Sequence, residues 1–513
     1  MAAEATDLTL EREAIGLREI LFQAITHMAP AAGVAFAIPV GAAFAGGSLA
    51  FAVLLAVIGC SLTALSLGQL SRHLPTAGSF YTYTSKALHP SIGFLAGWVY
   101  AFGEATVFPL CIALLGPVIA GTLNTEFGWS ASLWWPWVAL GCLTVFALGY
   151  FGIRISARTG TLLGAFEIAV FLVLGLTLVG KAGSGNTIAI FSAKHANIPG
   201  FIGFSGVFAG LVYSIFAFIG FEAAAPLAEE AENPRRTIGQ AALASAALIG
   251  LFYVVVTYGA TAFFGADRMG DFLKLGNGNP YEAMARSVWG FGWVAVFLAV
   301  INSSVACSNA GNNATTRTWF AMGRIGLLPR ALGRVHSRHR SPHVAVIVSF
   351  LLSTAVVMWL GFQYDPLTAF AILGTVIVIT AVITYILINV SCFAYYWRFR
   401  RDEFNLALHG LVPLIGVALF VPALLTGAGI TVFKFISPLP APFSYAGIAT
   451  GVWTLVGLVY MLYLYRADPH RLEDTKKVFL EEETPEIAVV SSYDLPVEEG
   501  PAAAAEGHEE GVP

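Results

Sequence analysis

The chain has 513 residues, 57% of them apolar and 11% charged, with a formal net charge of −4. Soluble proteins carry about 25% charged residues, so a water-soluble fold is excluded and lipid must cover much of the apolar surface. No basic patch interleaves with aromatics, which excludes a nucleic-acid partner, and the five cysteines (Cys60, Cys111, Cys142, Cys307, Cys392) contain no Cys-x-x-Cys pair and give no sign of a disulfide framework.

In chain order, residues 1–20 carry Glu4, Asp7, Glu11, Arg12, Glu13, Arg18 and Glu19. Such a run cannot be the apolar core of a signal peptide, so insertion is expected to begin with the first span. A spanning helix needs about 20 mostly apolar residues. Twelve stretches qualify: 22–45, 49–70, 91–123, 133–151, 159–180, 204–228, 240–264, 289–317, 343–361, 367–396, 408–433 and 445–465. With both termini cytoplasmic, 21 of the 27 Lys and Arg residues fall on the cytoplasmic side; Lys181, Lys194, Arg268, Lys274, Arg286 and Lys434 fall outside. That ratio obeys the positive-inside rule. Trp129, Trp134, Trp135 and Trp137 gather at the expected outer ends of the third and fourth spans and read as part of an aromatic belt. Residues 466–513 are acidic and poor in apolar residues and are expected to form a disordered cytoplasmic tail.

Few ionisable groups remain inside the spans: Glu104 in the third, Glu167 in the fifth, Glu222 in the sixth, and His27 in the first. A charge at mid-membrane costs several kcal/mol, to order of magnitude, unless it is neutral, paired or facing water, so each is a functional candidate. The first span also contains Pro30 and Gly33, and the sixth contains Gly220 and Pro226. Proline removes a donor and clashes with the preceding turn. A helix broken in lipid is tolerated only where it lines a cavity. One such interruption reads as an ordinary kink. Two at matching places, five spans apart, point to a transporter's binding site and to two repeats of opposite topology. Half-helix N-termini there favour a substrate carboxylate, and exposed carbonyls favour an ammonium or a coupling cation.

Four stretches carry a family resemblance. They are Phe216–Glu222 continuing through Glu229-Glu230-Ala231-Glu232-Asn233-Pro234-Arg235-Arg236-Thr237-Ile238; Leu74–Tyr83; Gly93–Trp98; and Arg317–Pro329. In order and spacing they resemble the amino acid–polyamine–organocation permeases over about residues 15–465. The resemblance implies an all-α integral membrane protein of twelve transmembrane helices. Its core would be a five-plus-five inverted repeat (LeuT-like) with helices 1 and 6 broken and helices 11 and 12 appended. The divisions would be a cytoplasmic segment 1–20, a first repeat 21–181, a second repeat 203–397, the last two helices 408–465, and the tail 466–513. Carried over by position, the stretch Ala29, Pro30, Ala31, Ala32 and Gly33 would contact substrate, with the last three giving backbone N–H groups to its carboxylate. Phe218, Ile219 and Gly220 would give carbonyls to its amino group, Phe216 would fold over it as an aromatic gate, and Glu222 would respond to gating or to protons.

Two departures bear on substrate and coupling. Many relatives have a glycine-rich motif in helix 1, where this chain has Pro30-Ala31-Ala32-Gly33. Many proton-coupled members place a lysine midway along helix 5, where this chain has Glu167. Glu167 would either exchange protons or, ionised, help hold a sodium ion near Ala29, Ser303 and Ser304. Exchange without an ion gradient stays open beside these. Helix 8 is polar, with Asn302, Asn309 and Asn313 spaced to share one face, expected to look into the bundle. Glu104, Glu167, Glu222, Ser303, Ser304 and Asn309 are thus the coupling and gating candidates.

The expected function is secondary active transport of an amino acid across the cytoplasmic membrane by alternating access. A permease or exchanger for a polyamine or other organic amine is the alternative. A membrane-embedded enzyme is the reading from another class, and the absence of His-Glu-x-x-His, Gly-x-Ser-x-Gly and a second intramembrane histidine argues against it. No cofactor or resident metal is expected.

Overall fold

In the computed structural model the described residues are 15–75, 79–152, 157–228, 231–324, 328–336, 339 and 341–467. Most of the N-terminal segment, nearly all of the tail, and residues 76–78, 229–230 and 325–327 of the family motifs lie outside them.

The first span is α1 (Leu17–His27) followed after two residues by α2 (Pro30–Ala32), a π-helical stretch (Gly33–Ala37) and α3 (Ile38–Ala45). A 3-10 turn at Gly46–Ser48 leads into α4 (Leu49–Ser71). Then come α5 (Ser79–Ala87), α6 (Pro90–Ala113), α7 (Leu115–Phe127), α8 (Trp135–Phe151) and α9 (Ala157–Lys181). The sixth span is α10 (Phe204–Phe216), which stops short and resumes as a 3-10 stretch, Phe221–Leu227. The remainder is α11 (Pro234–Phe264), α12 (Pro280–Trp289), α13 (Trp293–Arg324), α14 (His343–Gln363), α15 (Pro366–Phe399), α16 (Val412–Gly427) and α17 (Tyr445–Ala467).

Among the described residues, ten helical segments are long and apolar enough to cross a membrane; one of them, Leu17–Ser71, contains the two expected spans 22–45 and 49–70. Trp135–Phe151, expected as a span at 133–151, is a shorter apolar helix. The distribution of polarity is inverted relative to a soluble protein. Leu140, Leu162, Leu176, Leu251, Leu351 and Leu455 are exposed, while Glu104, Glu167 and Glu222 are buried. Apolar side chains facing outward meet lipid, and the bundle interior takes the polar groups.

Three features were not anticipated from the sequence. Residues 79–87 form a helix where a loop was expected. The connection between α11 and α13 is built, with a 3-10 stretch Ala266–Gly278 and then α12. A small antiparallel hairpin, Asn197–Ile198 with Phe201–Ile202, precedes α10. In the core, α6 packs on α13 and α15, and α11 packs on α4 and α9. The interrupted helices in turn pack on these: α1 and α2 on α9 and α13, and α10 on α15.

Candidate functional site

The first interruption follows from Pro30. Its ring displaces the preceding turn and it has no N–H to continue the ladder. The residue before a proline is driven out of the α region, and Ala29 sits at φ 47°, ψ 67°, left-handed and strained for a residue with a Cβ. The second interruption turns on Gly220, at φ 123°. A Cβ there would lie 2.7 Å from both the carbonyl carbon of His27 and the nitrogen of Met28. The two interruptions therefore touch backbone to backbone, and glycine is required for that approach.

The side chain of Tyr253, from α11, is placed between them. Its hydroxyl oxygen lies 2.9 Å from the Ala217 carbonyl oxygen and 3.2 Å from that of Met28. One donor thus serves a carbonyl from each interrupted helix.

The three N–H groups expected to face a substrate carboxylate all have partners in the chain. Gly33 N–H donates to the Ala29 carbonyl at 2.7 Å, Ala32 N–H to Ser303 Oγ at 3.2 Å, and Ala31 N–H to Glu167. The Glu167 carboxylate also accepts from Asn302 Nδ2 and meets the Ser303 hydroxyl. It joins α9 and α13 to the start of α2. Ser304 Oγ and Asn309 Oδ1 are buried without a hydrogen-bond partner.

Glu222 lies behind the second interruption. Its Oε2 accepts the Gly220 N–H and the Tyr385 hydroxyl, both at 2.9 Å. Glu104 on α6 lies 3.7 Å from His27 Nε2, oxygen to nitrogen, and both side chains are buried. His27 is further fixed by its carbonyl, which accepts from Cys307 Sγ at 3.3 Å.

A small cavity opens between the interruptions. Of the expected contact residues, Ala29, Ala32, Gly33, Phe216 and Ile219 line it. Pro30, Ala31, Phe218, Gly220 and Glu222 do not: Phe218 is fully buried with its ring against Tyr253, and Gly220 and Glu222 are occupied with each other. His27 is its one ionisable side chain besides the cysteine thiols, and none of the three buried carboxylates reaches it. Sequence reasoning missed one wall. Val107, Leu110, Cys111 and Leu114 present a single face of the third span, and Phe370 and Ile377 do the same from α15. The spacings (i, i+3, i+4, i+7) were readable, but apolar residues on a spanning helix do not distinguish a cavity from lipid.

Helix α13 differs from expectation in register. Its fully buried stripe is Ser304, Ser308, Asn312 and Thr315, while Asn302, Asn309 and Asn313 are half-buried on its flank. The buried stripe faces α6, where Ser308 donates to the Phe108 carbonyl at 3.2 Å. Asn302 instead meets Glu167 on α9. The face that spacing picked out is thus the flank of the helix and not its buried side.

Comparison with known proteins adds to this geometry. The family model described as amino acid permease matches residues 19–473. The branched-chain amino acid permease BcaP of Bacillus subtilis (strain 168) is 26% identical over 459 residues, covering 82% of this chain and 87% of the relative. The low-affinity putrescine importer PlaP of Escherichia coli (strain K12) is 25% identical over 424 residues, covering 81% and 85%. Among solved structures, MhsT in complex with L-phenylalanine superposes with a TM-score of 0.57 at 14% identity, over 81% of this chain and 100% of that one. The chain thus shares the fold of that transporter.

Proposed function

The chain belongs to the amino acid permease family, and on that premise we propose that it carries an α-amino acid with an uncharged, apolar side chain across the cell membrane by alternating access. The observation that carries this reading is the cavity between the two interruptions. It is lined by Ala29, Ala32, Gly33 and Ile219 of the interruptions and by mostly apolar side chains, with His27 its one ionisable group besides the cysteine thiols and no carboxylate. A substrate side chain finds hydrocarbon and the Phe216 and Phe370 rings there, and the charged end of a zwitterion would take over N–H groups at Ala32 and Gly33 that now bond within the chain. A diamine would bring a second ammonium to a wall with no anionic partner, and burying an unpaired charge is costly. The branched-chain permease relative fits this wall better than the putrescine importer does.

The coupling ion in this reading is a proton, carried by Glu167. A sodium ion at this place would need several oxygen lone pairs turned inward. Glu167 and Ser303 already accept from the N–H groups of Ala31 and Ala32, and these donors would repel a cation. Protonating Glu167 removes its charge and weakens its hold on Ala31, which ties proton binding to the position of the broken first helix. In this reading both termini are cytoplasmic, which the distribution of Lys and Arg supports.

The deciding experiment is uptake into proteoliposomes of a panel of neutral, basic and acidic amino acids and diamines, with an inward proton gradient, an inward sodium gradient, or neither. Uptake of leucine-like amino acids that rises with the proton gradient and not with sodium is expected. Preferential putrescine uptake would overturn the substrate assignment, sodium dependence would overturn the coupling assignment, and no uptake or exchange of any of these by folded protein would overturn both.

A further inference from the structure

We propose that Gly374 is a specificity-determining position: it seats the aromatic ring of Phe216 and so sets how long a substrate side chain the cavity admits. The proposal rests on the amino acid reading above and concerns a residue outside the two interruptions. Gly374 lies in the interior of the 34-residue α15, where helix propensity disfavours glycine, so its presence calls for another reason. The reason is steric. A Cβ at this position would stand 2.7 Å from Phe216 Cε1 and 3.0 Å from Cδ1. Carbon atoms rest at about 3.5–4.0 Å, so any side chain at 374 must displace the ring by about 1 Å.

The ring can move in one direction. Phe370, Gly374 and Ile377 are spaced i, i+4, i+7 and share one face of α15. Phe370 packs against Phe216 with ring centroids 5.2 Å apart, and Ile377 follows on the same face; both line the cavity. With α15 behind the ring and these two side chains flanking it, displacement carries Phe216 toward the bound substrate. The end of the cavity that would hold the substrate's side chain shortens, while the backbone groups of Ala29, Ala32 and Ile219 stay in place. Gly374 is thus a positioning residue acting through Phe216.

The test is uptake of alanine and leucine by wild type, Gly374→Ala, Phe216→Leu and the double variant in proteoliposomes. In Gly374→Ala the KM for leucine should rise about tenfold, the scale of one misfitted methylene, while the KM for alanine changes less than about threefold. A smaller side chain at 216 should relieve the clash, so the double variant should transport leucine within about threefold of Phe216→Leu alone. Equal KM shifts for alanine and leucine, or a fall in kcat alone, would overturn the proposal. If Gly374→Ala transports neither substrate, the double variant decides: recovery supports the seat, and no recovery overturns it. Wild type that transports neither amino acid brings down the functional reading and this proposal with it. Wild-type transport without the selectivity shift brings down this proposal alone.

Discussion

Tyr253 donates its hydroxyl to the carbonyl of Ala217 at 2.9 Å while the same oxygen stays 3.2 Å from the carbonyl of Met28. These two carbonyls belong to different broken helices, and both are buried. A buried carbonyl that loses its donor costs about 1–3 kcal/mol. Tyr253→Phe keeps the ring, its edge contact with Phe218 and most of the packing, and removes only the shared hydrogen. The variant is expected to fold with a Tm lowered by a few degrees and to lose at least about tenfold in the rate of uptake, because the two interruptions are no longer held in register. Thermal unfolding of purified protein and initial uptake rates check it; an unchanged rate would assign the hydroxyl to stability alone.

Glu222 offers a cleaner separation of charge from shape. Its single oxygen Oε2 accepts both the Gly220 N–H and the Tyr385 hydroxyl. The carbonyl oxygen of glutamine can accept both in the same place. Glu222→Gln is therefore expected to fold like wild type, and transport should fall about tenfold or more if the ionisable group takes part in the cycle. Wild-type uptake in that variant would show that Glu222 serves only to cap the second interruption.

These two residues also mark how far the sequence could be read. The interruptions were legible because Pro30 and Gly220 change backbone chemistry, and backbone chemistry is local. Glu104, Glu167 and Glu222 stood out because a carboxylate inside a span needs an explanation. Tyr253 gave no signal: a tyrosine in a spanning helix is ordinary, and its role depends on which carbonyls the fold brings within 3.2 Å. The same holds for Gly374, whose importance lies in a ring from another helix. Asn302, Asn309 and Asn313 were grouped by spacing as the face that looks into the bundle, and packing buries Ser304, Ser308 and Asn312 instead, because spacing does not say which side of α13 its neighbours cover.

Glu167 should separate coupling from carriage. Asn302 and Ala31 donate to its carboxylate, and glutamine can satisfy only part of that set, at a cost of about 1–2 kcal/mol. Glu167→Gln cannot bind or release a proton. Uptake driven by an inward proton gradient should fall to the level seen without a gradient, while exchange of external for internal substrate persists at a reduced rate. Counterflow assays at matched pH check this. A variant that still accumulates substrate in response to the proton gradient would move coupling to another group, with Glu104 and His27, 3.7 Å apart, as the next candidates.

The connection between α11 and α13 is tied to α7 by a polar network, and its release should open the cavity from the expected outer side. Arg286 on α12 pairs with Glu126 on α7 and with Glu282 of its own helix at 2.6 Å, and its guanidinium lies 3.6 Å from the centre of the Trp293 ring. Glu282 accepts the Thr122 hydroxyl at 2.8 Å, and Asn279 donates to the Pro117 carbonyl at 3.0 Å. Part of this network is exposed, so the loss on breaking the Arg286 pairs is about 1 kcal/mol, which shifts a two-state equilibrium about fivefold. Cys111 and Cys307 line the cavity and serve as native reporters. Arg286→Gln should raise their labelling by a membrane-impermeant thiol reagent added from outside about fivefold, with substrate protecting both thiols. Labelling that stays at the wild-type rate in Arg286→Gln would mean that the network stiffens the connection without controlling access to the cavity.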